Sequence, residues 1–206
     1  IKPLNEIAEY RNLVENIDRG LSPIAVYGLS ESQRCHIAYS VYEHVNKPLI
    51  FITYNDLEAK KVYEDLSFFT NNACYLPSRE VLLYDIEAVS NDIASERLKI
   101  IKRIIDGEKL VLVTSVDNLS HKYIDPEILL RHSRKLKVGD IVDLRDLIDN
   151  FIISGYDRVD MVEGKGQFSI RGGIIDFYPL TSSSAYRIEL FDDEVDSIRE
   201  FDVLSQ

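Results

Sequence analysis

The run from Phe168 to Phe201, FSIRGGIIDFYPLTSSSAYRIELFDDEVDSIREF, admits few folds other than a set of consecutive β-strands. Phe168 and Ile170 point one way, and Gln167, Ser169 and Arg171 the other, which is the period of a strand with one buried face. Gly172-Gly173 interrupts the pleat and predicts a bulge or a close backbone approach. Ile174–Tyr178 resumes a strand that Pro179 ends, and Ser182, Ser183 and Ser184 form a polar loop. Tyr186–Phe191 is the next strand, Asp192-Asp193 its turn, and Val195–Phe201 pairs back as a hairpin. Ile188 and Leu190 share the face suited to a core. Arg187, Glu189 and Phe191 share the other, and Arg171 lies on the polar face of its own strand. An aromatic flanked by arginines on a rigid sheet has the composition of a binding hot spot. A solvated face carrying one partly covered Phe is the competing reading.

Upstream, strands alternate with helices. Ile24–Tyr27, Leu49–Tyr54, Ala73–Leu76 and Leu110–Ser115 read as strands, the second and fourth as continuous apolar runs of the kind buried in a parallel sheet. Helices are expected over Leu4–Asn16, from Ser30 or Ser32 to about His44, from Asn55 to about Thr70, and from Asn91 or Asp92 to a C-cap at Gly107. Val62, Leu66, Phe69, Leu98, Ile101 and Ile105 are their inward residues. Pro77–Ser90 reads as irregular. After Tyr123 the pattern changes: a helical turn opens at Asp125-Pro126, Leu136–Val138 starts a strand, and Asp143 caps a helix with Leu144, Leu147, Ile148, Phe151 and Ile152 inward. The fold class is α/β: a parallel-sheet lobe, residues 1–132, followed by a smaller α+β domain with a curled antiparallel sheet, residues 133–206.

Gly28–Cys35, GLSESQRC, lies between a strand and a helix, the position of a P-loop. A working P-loop requires G-x-x-x-x-G-K-[ST]. Here Gln33 replaces the second glycine, Arg34 the lysine and Cys35 the hydroxyl residue. Gln33 puts a side chain where backbone must approach phosphate. Arg34 is a forked group instead of a compact point charge. A thiol is a poor ligand for Mg²⁺. The expectation is a degenerate P-loop without nucleotide. His36, His44, His121 and His132 are scattered and predict no metal site, and the Cys35-His36 neighbours point about 100° apart on a helix. Asp192, Asp193, Glu194 and Asp196 read as a solvated turn. Arg97, Lys99, Lys102 and Arg103 read as a salt-bridged helix surface, and Tyr39, Tyr42, Tyr54 and Tyr63 as core positions.

The net charge of −11 gives no general attraction to nucleic acid. Cys35 and Cys74 make neither a disulfide framework nor a metal motif, which fits a reducing cytoplasm. No apolar run is long enough to span a membrane and no signal peptide opens the chain. The ends at Ile1 and Gln206 suggest a piece of something longer.

The string IRGGIIDFYP…YRIELFDDEVDSIREFD closely resembles the matching segment of the bacterial transcription-repair coupling factors, itself similar to domain 2 of the excision-repair protein UvrB. The resemblance extends over essentially the whole chain. It implies a degenerate RecA-like helicase lobe, without the nucleotide site that UvrB keeps, followed by a UvrA-binding domain. Carried over position by position, it implies UvrA contacts at Arg171, Arg187 and Phe191, with Glu189 matching a carboxylate on the same face. Ser169 stands where UvrB has a further arginine, which implies a smaller or differently weighted contact set. The implied function is non-catalytic recruitment of UvrA to stalled RNA polymerase in transcription-coupled nucleotide excision repair, by mimicry of UvrB. RNA polymerase, DNA, ATP and Mg²⁺ would be met only by other parts of the parent, which carry its translocase. Two other readings stand beside it: a variant ATP site at Gly28, and an autoinhibitory module that restrains the motor.

Overall fold

The computed structural model describes residues 2–78 and 91–204. The chain divides into two units, one of residues 1–81 with 100–122 and one of residues 82–99 with 123–206.

In the first unit, strands β1 (Leu49–Thr53), β2 (Ala73–Tyr75) and β3 (Val111–Ser115) form a parallel three-stranded sheet in the order β1-β3-β2. A short 3₁₀ turn (Lys2–Glu6) precedes helix α1 (Ala8–Asp18), then come α2 (Glu31–Val45) and α3 (Asp56–Ser67). Helix α4 (Asn91–Ile105), of which residues 100–105 belong to this unit and the rest to the other, precedes β3, and α5 (Val116–Leu119) follows it. Every residue of β3 is buried because it is the central strand. On one side of the sheet Val111 and Val113 pack with Cys35, Tyr42, Ala59, Val62 and Leu66, and with the half-buried Leu49 and Phe51. A second cluster joins Leu112 to Cys74, Leu76, Leu110 and Ile100. Tyr42 is fixed at its tip: its hydroxyl donates to the Lys109 carbonyl at 2.9 Å and accepts from Asn72 Nδ2 at 3.1 Å.

Several expectations need correction here. Residues 24–27 form no strand, and among the described residues no ladder hydrogen bond reaches them. β1 is therefore an edge strand, and Ile50 and Ile52, on its far face, are exposed instead of doubly buried. Tyr54 and Phe69 are exposed as well, although Phe69 stacks on His36 and Tyr39. Leu98, Ile101 and Ile105 are only half-buried, while Ser95, Arg97 and Ile100 are the buried ones among the described side chains of α4. Arg97 lies over the Tyr123 ring, 5.2 Å from its centroid, so it does not belong to a solvated basic face. The irregular segment expected over Pro77–Ser90 falls, from residue 79 on, outside the described residues.

In the second unit, α6 (Pro126–His132) is capped by Asp125 and α7 (Leu144–Ile153) by Asp143, whose side chain accepts from Arg145 N at 2.7 Å. The sheet has five strands in sequence order: β4 (Asp157–Arg158), β5 (Gln167–Arg171), β6 (Ile174–Phe177), β7 (Ala185–Phe191) and β8 (Glu194–Phe201). It is mixed, not antiparallel throughout, because the short edge strand β4 runs parallel to β5. No strand forms at Leu136–Val138; an isolated bridge joins Ile141 to Glu194 instead. The core face carries Phe168, Ile175, Ile188 and Val195 against Leu147 and Phe151 of α7. Phe151 stacks on Phe168 with ring centroids 4.9 Å apart. Ile152, expected inward, is exposed on the far side of α7.

The expected close approach at Gly172-Gly173 is present. Gly172 turns the β5–β6 hairpin at φ +62, and Leu190 N donates to the Gly173 carbonyl at 2.8 Å. A Cβ on Gly173 would stand 2.8 Å from the Leu190 carbonyl oxygen, a contact relieved only by moving backbone. Gly173→Ala is expected to destabilise the second unit by about 1–3 kcal/mol, read as a lower urea midpoint with an unchanged slope.

Candidate partner-binding site

The face of the β5–β8 sheet opposite the core is built by strand register. Ser169 pairs with Asp176, Asp176 with Arg187, and Arg187 with Arg199. One step along, Arg171 pairs with Ile174, Ile174 with Glu189, and Glu189 with Ser197. All but Ile174 of these side chains are polar, and they stand on one face because the side-chain period is two.

Asp176 lies at the centre of the ion pairs. Its side chain is 3% exposed. Arg187 approaches it as a fork, Nε to Oδ1 at 2.6 Å and Nη2 to Oδ2 at 2.8 Å, and Arg171 Nη2 donates to Oδ2 at 2.6 Å. Burial pushes the Asp176 carboxyl up, but the hydrogen bonds and charges of Arg187 and Arg171 outweigh it and hold the carboxyl below its ordinary value. The same hydrogen bonding to Asp176 raises Arg187, despite its partial burial. Arg187 is only 16% exposed, and its guanidinium also lies over the Phe201 ring, 5.0 Å from the centroid. Arg171 is about half exposed. Glu189 is held by Arg199 and by Ser197, whose hydroxyl donates at 3.1 Å. Phe191, on the last residue of β7, is 79% exposed. The turn beyond it is tight, with Asp192 at φ +61. Beside Arg171, a notch of about 420 Å³ is lined by Arg158, Val159, Asp160, Ser169 and Ile170.

The structure thus brings Arg171, Arg187 and Glu189 together on one polar face, with Phe191 at its end. Sequence reasoning missed Asp176, Arg199 and Ser197. The available signal for Asp176 was a lone carboxylate inside an apolar strand, at the register position opposite an arginine.

The loop at Gly28 is built differently. Gly28 has φ +79, and Ser30 is the N-cap of α2. The Gln33 carboxamide accepts from Ser30 N at 2.9 Å, so it covers one of the free N–H groups of the helix start. Cys35 is buried, with its Sγ 3.9 Å from Asp65 Oδ2, and burial together with Asp65 pushes its thiol up to about 11. A pocket of about 160 Å³ beside Arg34 is lined by Thr53 and Lys61 and also by the carboxylates of Glu31, Glu58 and Asp65. At the C-terminal ends of the strands, Asp56 accepts hydrogen bonds from Ser78 N at 3.0 Å and from the hydroxyls of Ser78 and Ser115. Among the described residues there is no cluster of three or more His, Cys, Asp or Glu placed to hold a metal ion, and no helix is long and apolar enough to cross a membrane.

Residues 135–206 match the family model of the UvrB interaction domain. The matched part contains the whole five-stranded sheet. Its strands β4–β8 carry the polar face just described. Over nearly its whole length the chain is also similar to transcription-repair-coupling factors. It is 35% identical to that of Bacillus subtilis over 200 residues, 96% of this chain and 17% of the relative. It is 35% identical to that of Staphylococcus epidermidis and 34% to that of Staphylococcus aureus, each over 190 residues, 91% of this chain and 16% of the relative. The chain thus spans about one-sixth of the length of these curated relatives.

Two measurements check the site chemistry. Because Asp176 is depressed in the folded state, its stabilisation is complete above its ordinary value of 3.8 and is lost as pH falls below it. The second unit is therefore expected to lose stability as the pH falls below about 4, and Asp176→Asn to flatten that part of the profile in denaturant titrations. Cys35 is expected to react with a thiol reagent at pH 8 more than ten-fold slower than free cysteine, accelerating only on unfolding.

Proposed function

We propose that this chain is a non-catalytic recruitment module that works in the cytoplasm and docks UvrA through the polar face of its β5–β8 sheet. By presenting a surface like that of UvrB, it would bring UvrA to stalled RNA polymerase in transcription-coupled nucleotide excision repair. Contacts with polymerase and DNA, and the ATP-driven translocase, belong to parts of the relatives that lie outside this chain. The observation that carries the reading is Phe191, 79% exposed on a paired strand and on the same face as Arg171 and Arg187. A large aromatic held rigidly in water beside arginines is the composition of an interface anchor. The match of residues 135–206 to the UvrB interaction domain supports the same assignment.

A catalytic role for the Gly28 loop has little support. The Gln33 side chain covers the Ser30 N–H, and Cys35 is a buried thiol raised to about 11. The pocket beside Arg34 is smaller than ligand sites usually are and is lined by three carboxylates that oppose phosphate.

Calorimetric titration of the chain into UvrA tests the proposal. Phe191→Ala is expected to weaken binding by about 2 kcal/mol or more without moving the melting temperature. Arg187→Ala is expected to lose both affinity and stability, because it strips the buried Asp176 of its principal partner. A folded wild-type chain that gives no binding, or a Phe191→Ala variant that binds like wild type, would sink the reading.

A further inference from the structure

We propose that Asp176 is a positioning residue of the docking face, which locks Arg171 and Arg187 into one ordered guanidinium pair before a partner arrives. The partner in this inference rests on the docking reading above; the mechanism rests on the geometry of the sheet.

Asp176 has no access to water worth the name: its side chain is 3% exposed. A carboxylate so placed must be neutralised from within, and both of its oxygens are used. Each guanidinium has five N–H donors in a fixed plane. Asp176 takes two from Arg187 and one from Arg171. Arg187 is thereby oriented along the sheet and packed against Phe201, while Arg171 is tethered by one corner with its remainder half exposed. A long cationic side chain normally loses rotamer freedom when it binds, and ordering it beforehand removes that loss. Glu189 is similarly tied to Arg199 and Ser197, so it does not compete for the pair. Three arginines meet two carboxylates at the centre of this face, and register adds Asp157, opposite Gln167, and Glu194, opposite Phe191, at its margins. Arg171 is the group with donors to spare, and a partner carboxylate is its complement.

A purely structural role would predict that loss of binding follows loss of stability. Asp176→Asn, Asp176→Glu and Ile175→Val are therefore compared. Ile175 is fully buried on the opposite face of the same strand, so Ile175→Val loosens the domain without touching the arginines. UvrA binding is measured by calorimetry at a temperature where each variant is folded, and arginine Nε–H signals are recorded by ¹⁵N NMR. Ile175→Val is expected to bind within two-fold of wild type. Asp176→Asn is expected to bind at least ten-fold more weakly, with the Arg187 Nε–H signal broadened or lost. Asp176→Glu keeps the carboxylate but displaces it by one methylene, and is expected to bind at least three-fold more weakly; it carries the test if Asp176→Asn does not fold. Folded Asp176 variants that bind within two-fold of wild type, or that keep a sharp, unshifted Arg187 signal, would overturn the positioning role. A folded wild type with no affinity for UvrA would overturn the docking reading and this role in it together, and the NMR comparison would then report on the clamp alone.

Discussion

A buried carboxylate in the middle of a β-sheet has to be answered by charge, and Asp176 dictates much of what surrounds it. Its two oxygens fix the Arg187 fork from β7 and one corner of Arg171 from β5. Three consecutive strands are thus tied across one face by charge-assisted hydrogen bonds, while Phe168, Ile175 and Ile188 tie them across the other by burial. The two sides do different work. The apolar side sets register, because a one-residue slip would bring Asp176 into the core and Ile175 to the surface. The polar side leaves the arginines with defined directions, which a solvated surface does not give them.

The two sheets meet the same requirement in different ways. In the parallel sheet only β3 is covered throughout, and the far face of the edge strand β1 leaves Ile50 and Ile52 in water. The five-stranded sheet closes its apolar face on α7 and commits its opposite face to ion pairs. Gly173 makes this arrangement possible at the hairpin end, where the Leu190 backbone comes too close for any Cβ.

Local chemistry made most elements legible in the sequence. Asn55 and Asp143 cap the helices they were expected to cap, and a helix opens at Asp125-Pro126 as read. The period-two faces of β5 and β7 place Arg171, Arg187, Glu189 and Phe191 on the polar side, as their alternation requires. What failed was long-range. An apolar run such as Leu49–Tyr54 does not say whether a neighbouring strand lies on each side, and Ile24–Tyr27 satisfies strand propensity without pairing to a strand among the described residues. Arg97 looks like surface on a charged helix until the Tyr123 ring is brought beneath it. The site was half legible for the same reason. Its arginines could be read from alternation, but the carboxylate that holds them becomes visible only when β6 is laid between β5 and β7.

Charge then limits how such a face can recognise anything. A chain of net charge −11 is not drawn at long range toward an acidic surface, and a few arginines on one face do not reverse that field beyond about 8–10 Å at physiological salt. Discrimination has to be made at contact, where the direction of Arg171 and the body of Phe191 count for more than total charge. Contact recognition rewards groups that are already in place. Arg187, gripped by Asp176 and covered by Phe201, and Phe191, on a strand closed by a tight turn, are both of that kind. The acidity of the rest of the chain therefore does not compete with the site; it disfavours nonspecific attachment to nucleic acid and leaves recognition to a few ordered side chains.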